Sequence, residues 1–149
     1  MTDKMDRMLT KIVNMSDEQK IHIGRRASKD LLRYLRNDDY SDDEIMDWIK
    51  DLSKLIICAD HKVVQKEYEW FCNVTRMDLT DVEFFDAVKD GDNKSFVKRM
   101  LIRIQDLPDR TRKAMVMFCS ALASSDDIIN ADEIDMLSKI EPNEDEDID

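Results

Sequence analysis

Glycine and proline are nearly absent from this chain, and their scarcity restricts the possible folds more than any other feature. The 149 residues include two glycines, Gly24 and Gly91, and two prolines, Pro108 and Pro142. Glycine supplies the positive backbone φ angles that tight β-hairpin turns require, so a sheet-rich fold would lack its turn residues. Helices need neither residue in their interiors. The sequence therefore predicts an all-α protein.

Apolar residues recur at helical spacing along the chain, and polar residues mark where helices begin. Three patterns typical of capping boxes precede apolar periodic stretches: Ser16–Gln19, Ser41–Glu44 and Thr80–Glu83. Pro108 suits the start of a further helix, because the first helical position does not need its missing N–H group. These signals predict a compact bundle of about seven to eight helices, forming a single domain over residues 1–140.

The last nine residues, 141–149, form an acidic tail. They carry six acidic side chains and no basic one, so subtracting them from the net charge of −11 leaves −5 for the rest. A segment with so few apolar residues cannot offset the entropy lost on ordering, and we predict that it is disordered. The acidic excess also disfavours non-specific binding to the phosphates of nucleic acids, so we expect no nucleic-acid partner.

Three cysteines are dispersed along apolar helical stretches: Cys58, Cys72 and Cys119. An odd number with no CxxC pair argues against a disulfide framework and against a zinc site. The N-terminal stretch is charged from the start and lacks the apolar core of a signal peptide, and no apolar stretch is long enough to span a bilayer. We therefore expect a cytoplasmic protein. Its oligomeric state is left open.

One part of the chain recurs after a shift of 66 residues. The shift superimposes Asp60 on Asp126, Val63 on Ile129 and Glu67 on Glu133. It also aligns apolar positions on the helices before and after this loop: Ile49 with Met115, Leu52 with Phe118, Ile56 with Leu122, Trp70 with Met136, Phe71 with Leu137, and Val74 with Ile140. Apolar periodicity alone can arise by chance, but a matching Asp and Glu at the same spacing in both copies are much less likely to arise by chance. We therefore predict two pseudo-symmetric helix–acidic loop–helix repeats.

The two acidic loops resemble the signature of the TerB-like tellurite-resistance family, roughly Ala-Asp-Gly-x-Ile-x-x-x-Glu, which occurs twice. The first loop reads Ala59-Asp60-His61-Lys62-Val63-Val64-Gln65-Lys66-Glu67, and the second reads Ser125-Asp126-Asp127-Ile128-Ile129-Asn130-Ala131-Asp132-Glu133. The stretch DLPDR between them is also similar to the middle of the family, and the resemblance covers about residues 45–140. His61 and Asp127 replace the glycine, and both residue types tolerate the left-handed backbone.

The resemblance implies a small helical bundle linked to stress or phage resistance, with divalent metal held by its acidic residues. The residues themselves allow such a site, because a pseudo-two-fold would bring four carboxylates together: Asp60, Glu67, Asp126 and Glu133. They would repel one another unless a cation, a basic neighbour or water separated them. Ligands that are all oxygen favour Ca²⁺ or Mg²⁺ over zinc.

A purely structural interpretation of the loops stays open beside the metal site. Asp60 and Asp126 can close Asx turns, and Glu133 can form a capping box with Asn130. In the first loop the position equivalent to Asn130 is a valine, which cannot cap a helix with its side chain. If the loops bind a cation, we therefore expect Asp60 and Glu67 to matter more than Glu133.

The second helix carries a basic ridge, in which five basic side chains fall within about 100° of arc: Arg25, Arg26, Lys29, Arg33 and Arg36. On an acidic protein this ridge suits the acidic surface of a partner protein or anionic lipid headgroups in a peripheral membrane contact. Arg25, Lys29 and Arg33 are the candidate partner-binding residues. The alternatives are a solvated face and a docking place for the acidic tail.

No catalytic apparatus is recognisable in the sequence. It contains no pattern that suggests a nucleophile with its base, and no glycine-rich loop for phosphate, so we expect no enzymatic activity. Together with the TerB-like resemblance, which implies the stress-related role, the sequence predicts a non-enzymatic binding or scaffolding module, in which divalent-metal binding by the paired acidic loops stays open. The alternative is a pure protein-interaction factor, such as an acidic inhibitor or a DNA mimic, whose loops are only structural.

Overall fold

Eight α-helices and two short 3₁₀ turns, with no β-strand, make up the part of the chain that the computed structural model describes. This part comprises residues 3–60, 65–89, 91, 93–126, 129 and 131–142. The helices are α1 (Asp3–Val13), α2 (Asp17–Asn37), α3 (Asp42–Ile57), α4 (Gln65–Thr75), α5 (Asp81–Val88), α6 (Lys94–Gln105), α7 (Asp109–Ala123) and α8 (Ala131–Ile140). The predicted all-α bundle is confirmed. None of the described helices is long and apolar enough to cross a membrane.

The three predicted capping boxes start the helices that follow them. At α2, the Ser16 hydroxyl oxygen accepts a hydrogen bond from the Gln19 N–H, with an N–O distance of 3.2 Å. The Gln19 side chain accepts one in return from the Ser16 N–H at 3.0 Å. The same reciprocal pair starts α3 and α5. At α6, which no capping box marks, the Asn93 side chain accepts from two backbone N–H groups of the first turn.

The element bounds follow the predicted repeat. The first acidic turn (Cys58–Asp60) follows α3, and the second acidic turn (Ser124–Asp126) follows α7. Both turns are 3₁₀, and they are related by the 66-residue shift. The next helices, α4 and α8, start at Gln65 and Ala131, which the same shift relates. Each copy therefore reads long helix, acidic turn, short helix.

The two repeats interlock around α3 and α7, which contact each other. Helix α4 packs against α7 and the second acidic turn, and α8 packs against α3 and the first acidic turn. Each acidic turn thus lies against the helix that follows the other turn, as a pseudo-two-fold arrangement requires. The long helix α2 lies along α7 and also contacts α3 and α4.

The helical spacing of the two repeats predicts a shared core of nine apolar residues, and each that the structure describes is fully or partly buried. Seven of them are at most 1% exposed: Leu52, Leu55, Ile56, Phe71, Phe118, Leu122 and Leu137. Ile129 is partly buried and packs against this core. Val63 lies outside the described residues. Full burial of a large apolar side chain is worth about 1.5–3 kcal/mol, so these positions stabilise the contact between the repeats.

Gly24 allows α2 and α4 to approach closely. A Cβ atom at this position would lie 2.3 Å from Cζ2 of Trp70. The buried indole also packs against Phe118 of α7, with ring centroids 5.5 Å apart. The lack of a side chain on Gly24 therefore lets the indole lie against α2 and α7 together.

Candidate functional site

The glutamates of the two acidic loops are buried in the first turns of α4 and α8. Glu67 and Glu133 are each 3% exposed. Helix α4 packs on the second acidic turn and α8 on the first, so each glutamate belongs to a helix that lies against the other repeat. We expected a structural role for Glu133 alone. The equal burial of Glu67 shows that both carboxylates are parts of the interior and need hydrogen bonds or a positive charge there.

A lysine of α2 brings a positive charge to the second acidic turn. Lys20 is fully buried, and its Nζ donates a hydrogen bond to the backbone oxygen of Ser124 at 2.7 Å. A buried ammonium group is tolerated only where acceptors and negative charge surround it. Lys20 thus supplies a positive charge beside the second acidic turn, and a basic neighbour is one of the groups that reduce repulsion between carboxylates.

The position of Lys20 in the sequence indicates that it is buried, although lysine is a residue type that is normally exposed. The buried residues of α2 are Lys20, Gly24, Ala27, Leu31 and Leu35, which recur at intervals of three or four. Lys20 therefore continues the buried stripe of the helix by one turn towards its start. Lysine is normally exposed, so this position resembles a solvated lysine until the neighbouring helices are known.

Only part of the predicted metal site lies within the described residues. The side chains of Asp60 and Asp126 fall outside them, and so do His61, Asp127 and Asn130. Among the described side chains, no group of three or more His, Cys, Asp or Glu residues is placed to hold a metal ion. Glu67 and Glu133 carry carboxylate oxygens, the ligands that Ca²⁺ and Mg²⁺ prefer. Both glutamates therefore carry the type of donor atom that such a cation requires.

The basic ridge of α2 does not form one continuous free surface. Arg25 tethers α2 to α4, because its Nη2 donates to both the backbone oxygen and Oδ1 of Asn73 at 3.3 Å. Arg33 pairs with Asp30 of its own helix at 3.1 Å. Lys29 is exposed and lines a groove of about 480 Å³ beside α3 and α4. Arg25 lines this groove as well, so two of the three candidate partner-binding residues share one surface, whereas Arg33 does not line it.

Arg26, a further member of the ridge, faces another side of α2 and lines a larger groove. This methionine groove has a volume of about 520 Å³ and lies between α1, α2 and α7. Three partly buried methionines line it: Met8, Met15 and Met117. Four basic residues also line it and are exposed: Lys11, Arg26, Arg110 and Lys113. The groove therefore combines an apolar floor with a basic rim.

The rim of the methionine groove is positively charged although the chain as a whole is acidic. Among the described residues that line the groove, Asp30 is the one acidic side chain, and it pairs with Arg33 at 3.1 Å. The guanidinium of Arg110 lies over the Tyr34 ring, 5.1 Å from its centroid, and this contact orients Arg110 at the rim. Such a local reversal of charge attracts acidic ligands. The sequence concealed the groove because three separate helices supply its residues.

The cysteines provide no reactive centre. All three are free, as expected. Cys58 and Cys119 are buried, and Cys72 is half-buried. Burial raises the pKa of the Cys119 thiol, because an apolar interior disfavours the thiolate. These side chains act as small apolar residues.

Comparison with protein-family models, with curated proteins and with solved structures gives no match to this chain. The resemblance to the TerB-like family therefore depends on the duplicated acidic loops and the segment between them. The acidic loops and the methionine groove are the two candidate sites.

Proposed function

We propose that this chain is a non-enzymatic, TerB-like binding module that holds an acidic, amphipathic segment of a partner protein in its methionine groove. The observation that carries the proposal is an apolar methionine floor inside a basic rim, on a chain of net charge −11. The TerB-like resemblance adds a role in stress or phage resistance. A scaffolding protein of this kind needs a surface for a partner and no catalytic group.

The chemistry of the groove favours an amphipathic helix with one acidic face. The apolar face of such a helix would rest on the methionines, and its carboxylates would meet the basic rim. Methionine has three rotatable side-chain bonds and a polarizable sulfur, so the floor can adapt to the side chains that enter it. A volume of about 520 Å³ accommodates a few anchoring side chains, while the rest of the partner stays outside.

The rim charges provide the test of this function. The probe is a synthetic helical peptide with Glu on one face and Leu on the other. We expect Lys11→Gln combined with Arg26→Gln to weaken the binding of this peptide about three- to tenfold, because each exposed charge pair contributes up to about 1 kcal/mol. Both side chains are exposed, so the fold should be unaffected. Fluorescence anisotropy titrations would measure the affinity, which should also fall with added salt.

The matched control changes the charge by the same amount elsewhere. Lys29 and Lys98 are both exposed, and neither lines the methionine groove. Lys29→Gln combined with Lys98→Gln should leave the affinity for the peptide nearly unchanged. Equal weakening by the two double variants would show non-specific charge attraction and would exclude the groove as the binding surface.

A second candidate function is binding of Ca²⁺ or Mg²⁺ by the acidic loops. The equivalent burial of Glu67 and Glu133 favours cation binding, because two desolvated carboxylates lie in the contact between the repeats. Asp60 and Asp126 would complete the ligand set. The cation would share this region with the buried ammonium of Lys20, which is the competing source of positive charge.

A cation titration tests the second function. At about a hundred times its dissociation constant, a bound cation should raise the free energy of unfolding by roughly 2.7 kcal/mol. Asp60→Ala and Glu67→Ala should abolish this gain, whereas Glu133→Ala should mainly lower the stability without metal. Calorimetry and thermal unfolding with millimolar Ca²⁺, Mg²⁺ or Mn²⁺ provide the measurement. No binding heat and no thermal shift in the wild type would assign the loops a structural role, with Lys20 as their counter-charge.

A further inference from the structure

The end of α8 is held beside the methionine groove. Arg112 of α7 donates hydrogen bonds from Nε to the backbone oxygen of Ile140 at 3.1 Å and from Nη2 to that of Glu141 at 3.0 Å. The next residue, Pro142, is buried and lines a smaller cavity of about 210 Å³ between α1 and α7. These contacts determine where the chain leaves the helical bundle.

The smaller cavity adjoins the methionine groove, because Met8, Lys113 and Met117 line both. Pro142 therefore lies beside the groove, on the side that α1 and α7 form. The groove follows α2 from Ile23 to Tyr34, a helical length of about 16 Å. Seven residues in an extended conformation reach about 23–25 Å. The segment that follows Pro142 is long enough to pass along the whole groove.

The composition of that segment matches the groove. Residues 143–149, which lie outside the described part of the chain, read NEDEDID, with five acidic side chains and the apolar Ile148. The rim offers four basic side chains, and the floor offers methionines to an apolar side chain. We infer that residues 143–149 dock in the methionine groove and compete there with the acidic segment of a partner. The competition rests on the proposed function, whereas the docking can be measured without any partner.

The structure favours this groove over the basic ridge as the place where the acidic segment docks. Arg25 and Arg33 of the ridge are bound to Asn73 and Asp30. Three ridge residues, Arg25, Lys29 and Arg36, line a different groove beside α3 and α4, and the described end of the chain at Glu141 and Pro142 does not line it. The methionine groove, in contrast, shares three lining residues with the cavity that holds Pro142.

Because residues 143–149 are covalently joined to the bundle, a weak attraction is enough for them to occupy the groove. A segment joined to its site by a short linker has an effective concentration in the millimolar range, so millimolar intrinsic affinity gives substantial occupancy. Removing residues 143–149 should then strengthen binding of the acidic helical peptide by about three- to tenfold at low salt. The difference should shrink at high salt, where exposed charges are screened.

Methionine methyl NMR tests the docking directly. Deleting residues 143–149 should shift the signals of Met8, Met15 and Met117 and leave Met46, which is 41% exposed on α3, unchanged. The peptide NEDEDID, added at millimolar concentration to the shortened chain, should reverse these shifts. The matched control keeps the length of the segment and removes its charge, and it should behave like the deletion: Glu144→Gln, Asp145→Asn, Glu146→Gln, Asp147→Asn and Asp149→Asn.

The outcomes separate this inference from the proposed function. If neither the deletion nor the neutralised segment shifts the methyl signals of the groove, the docking is overturned, even if the acidic helical peptide binds the groove. Signals that respond to the segment while the shortened chain fails to bind the peptide support the docking and overturn the proposed partner. Shifts at Met46 as large as those in the groove would indicate a global change and would also overturn the inference.

Discussion

Helix propensity and packing oppose each other at Gly24. Alanine normally stabilises a helix interior by about 0.8–1 kcal/mol relative to glycine. Here the added Cβ would lie 2.3 Å from Cζ2 of Trp70, whose ring is confined by Phe118. Overpacking of this kind typically costs 1–3 kcal/mol, so we expect Gly24→Ala to lower the free energy of unfolding by roughly that amount. Urea unfolding followed by circular dichroism measures it.

A double-mutant cycle identifies the cause of that loss. Trp70→Phe removes the part of the indole that lies nearest Gly24. In this background, Gly24→Ala should cost clearly less than in the wild type, because two residues in contact do not act independently. An undiminished cost would show that the penalty does not arise at the Trp70 indole and would point to Val74, whose Cγ2 would lie 2.9 Å from the added Cβ.

At the scale of elements, Lys20 joins α2 to the second acidic turn. Its Nζ donates to the backbone oxygen of Ser124 at 2.7 Å, in the interior. Lys20→Met keeps an unbranched chain of similar length but removes the donor. Hydrogen bonds that involve charged groups contribute about 1.5–3 kcal/mol, and we expect a loss of stability of this size. Lys29→Met, at an exposed position of the same helix, should change stability by about 0.5 kcal/mol or less. Equal effects of the two variants in urea unfolding would contradict a structural role for Lys20.

At the scale of the whole molecule, the interlocked repeats should unfold together. Helix α4 packs on α7 of the other repeat, and α8 packs on both α7 and α3, so each repeat loses part of its packing when the other opens. Leu137→Ala in α8 creates a cavity in the core and should lower the free energy of unfolding by about 2–5 kcal/mol. Tryptophan fluorescence, which reports Trp48 and Trp70 of the first repeat, should show this full loss.

The control and the contrary outcome for cooperativity use the same probe. Val82 is 73% exposed on α5, so Val82→Ala should leave the fluorescence transition nearly unchanged. A second unfolding transition would show that the repeats unfold separately. The same conclusion would follow if Leu137→Ala left the fluorescence midpoint unchanged while hydrogen exchange in α8 increased.

The sequence by itself determined the features that depend on neighbours within a few residues. The capping boxes at Ser16, Ser41 and Thr80 are local hydrogen-bond patterns, so the sequence placed the starts of α2, α3 and α5 correctly. The repeat was also readable, because each copy carries its own apolar stripes and its own Asp and Glu. The all-α class followed from the shortage of turn residues.

Only the tertiary structure decided which side chains meet. Lys20 and Ser124 are 104 residues apart in the chain, and no periodic pattern links them. The burial of Glu67 depends on the packing of α4 against the other repeat. The basic side chains of α2 share one arc of the helix, yet the packing of α1, α4 and α7 assigns Arg26 to the methionine groove and Arg25 to a tether. Helical periodicity specifies the face of a helix that is buried, whereas the neighbour that covers it is selected by the packing of the whole chain.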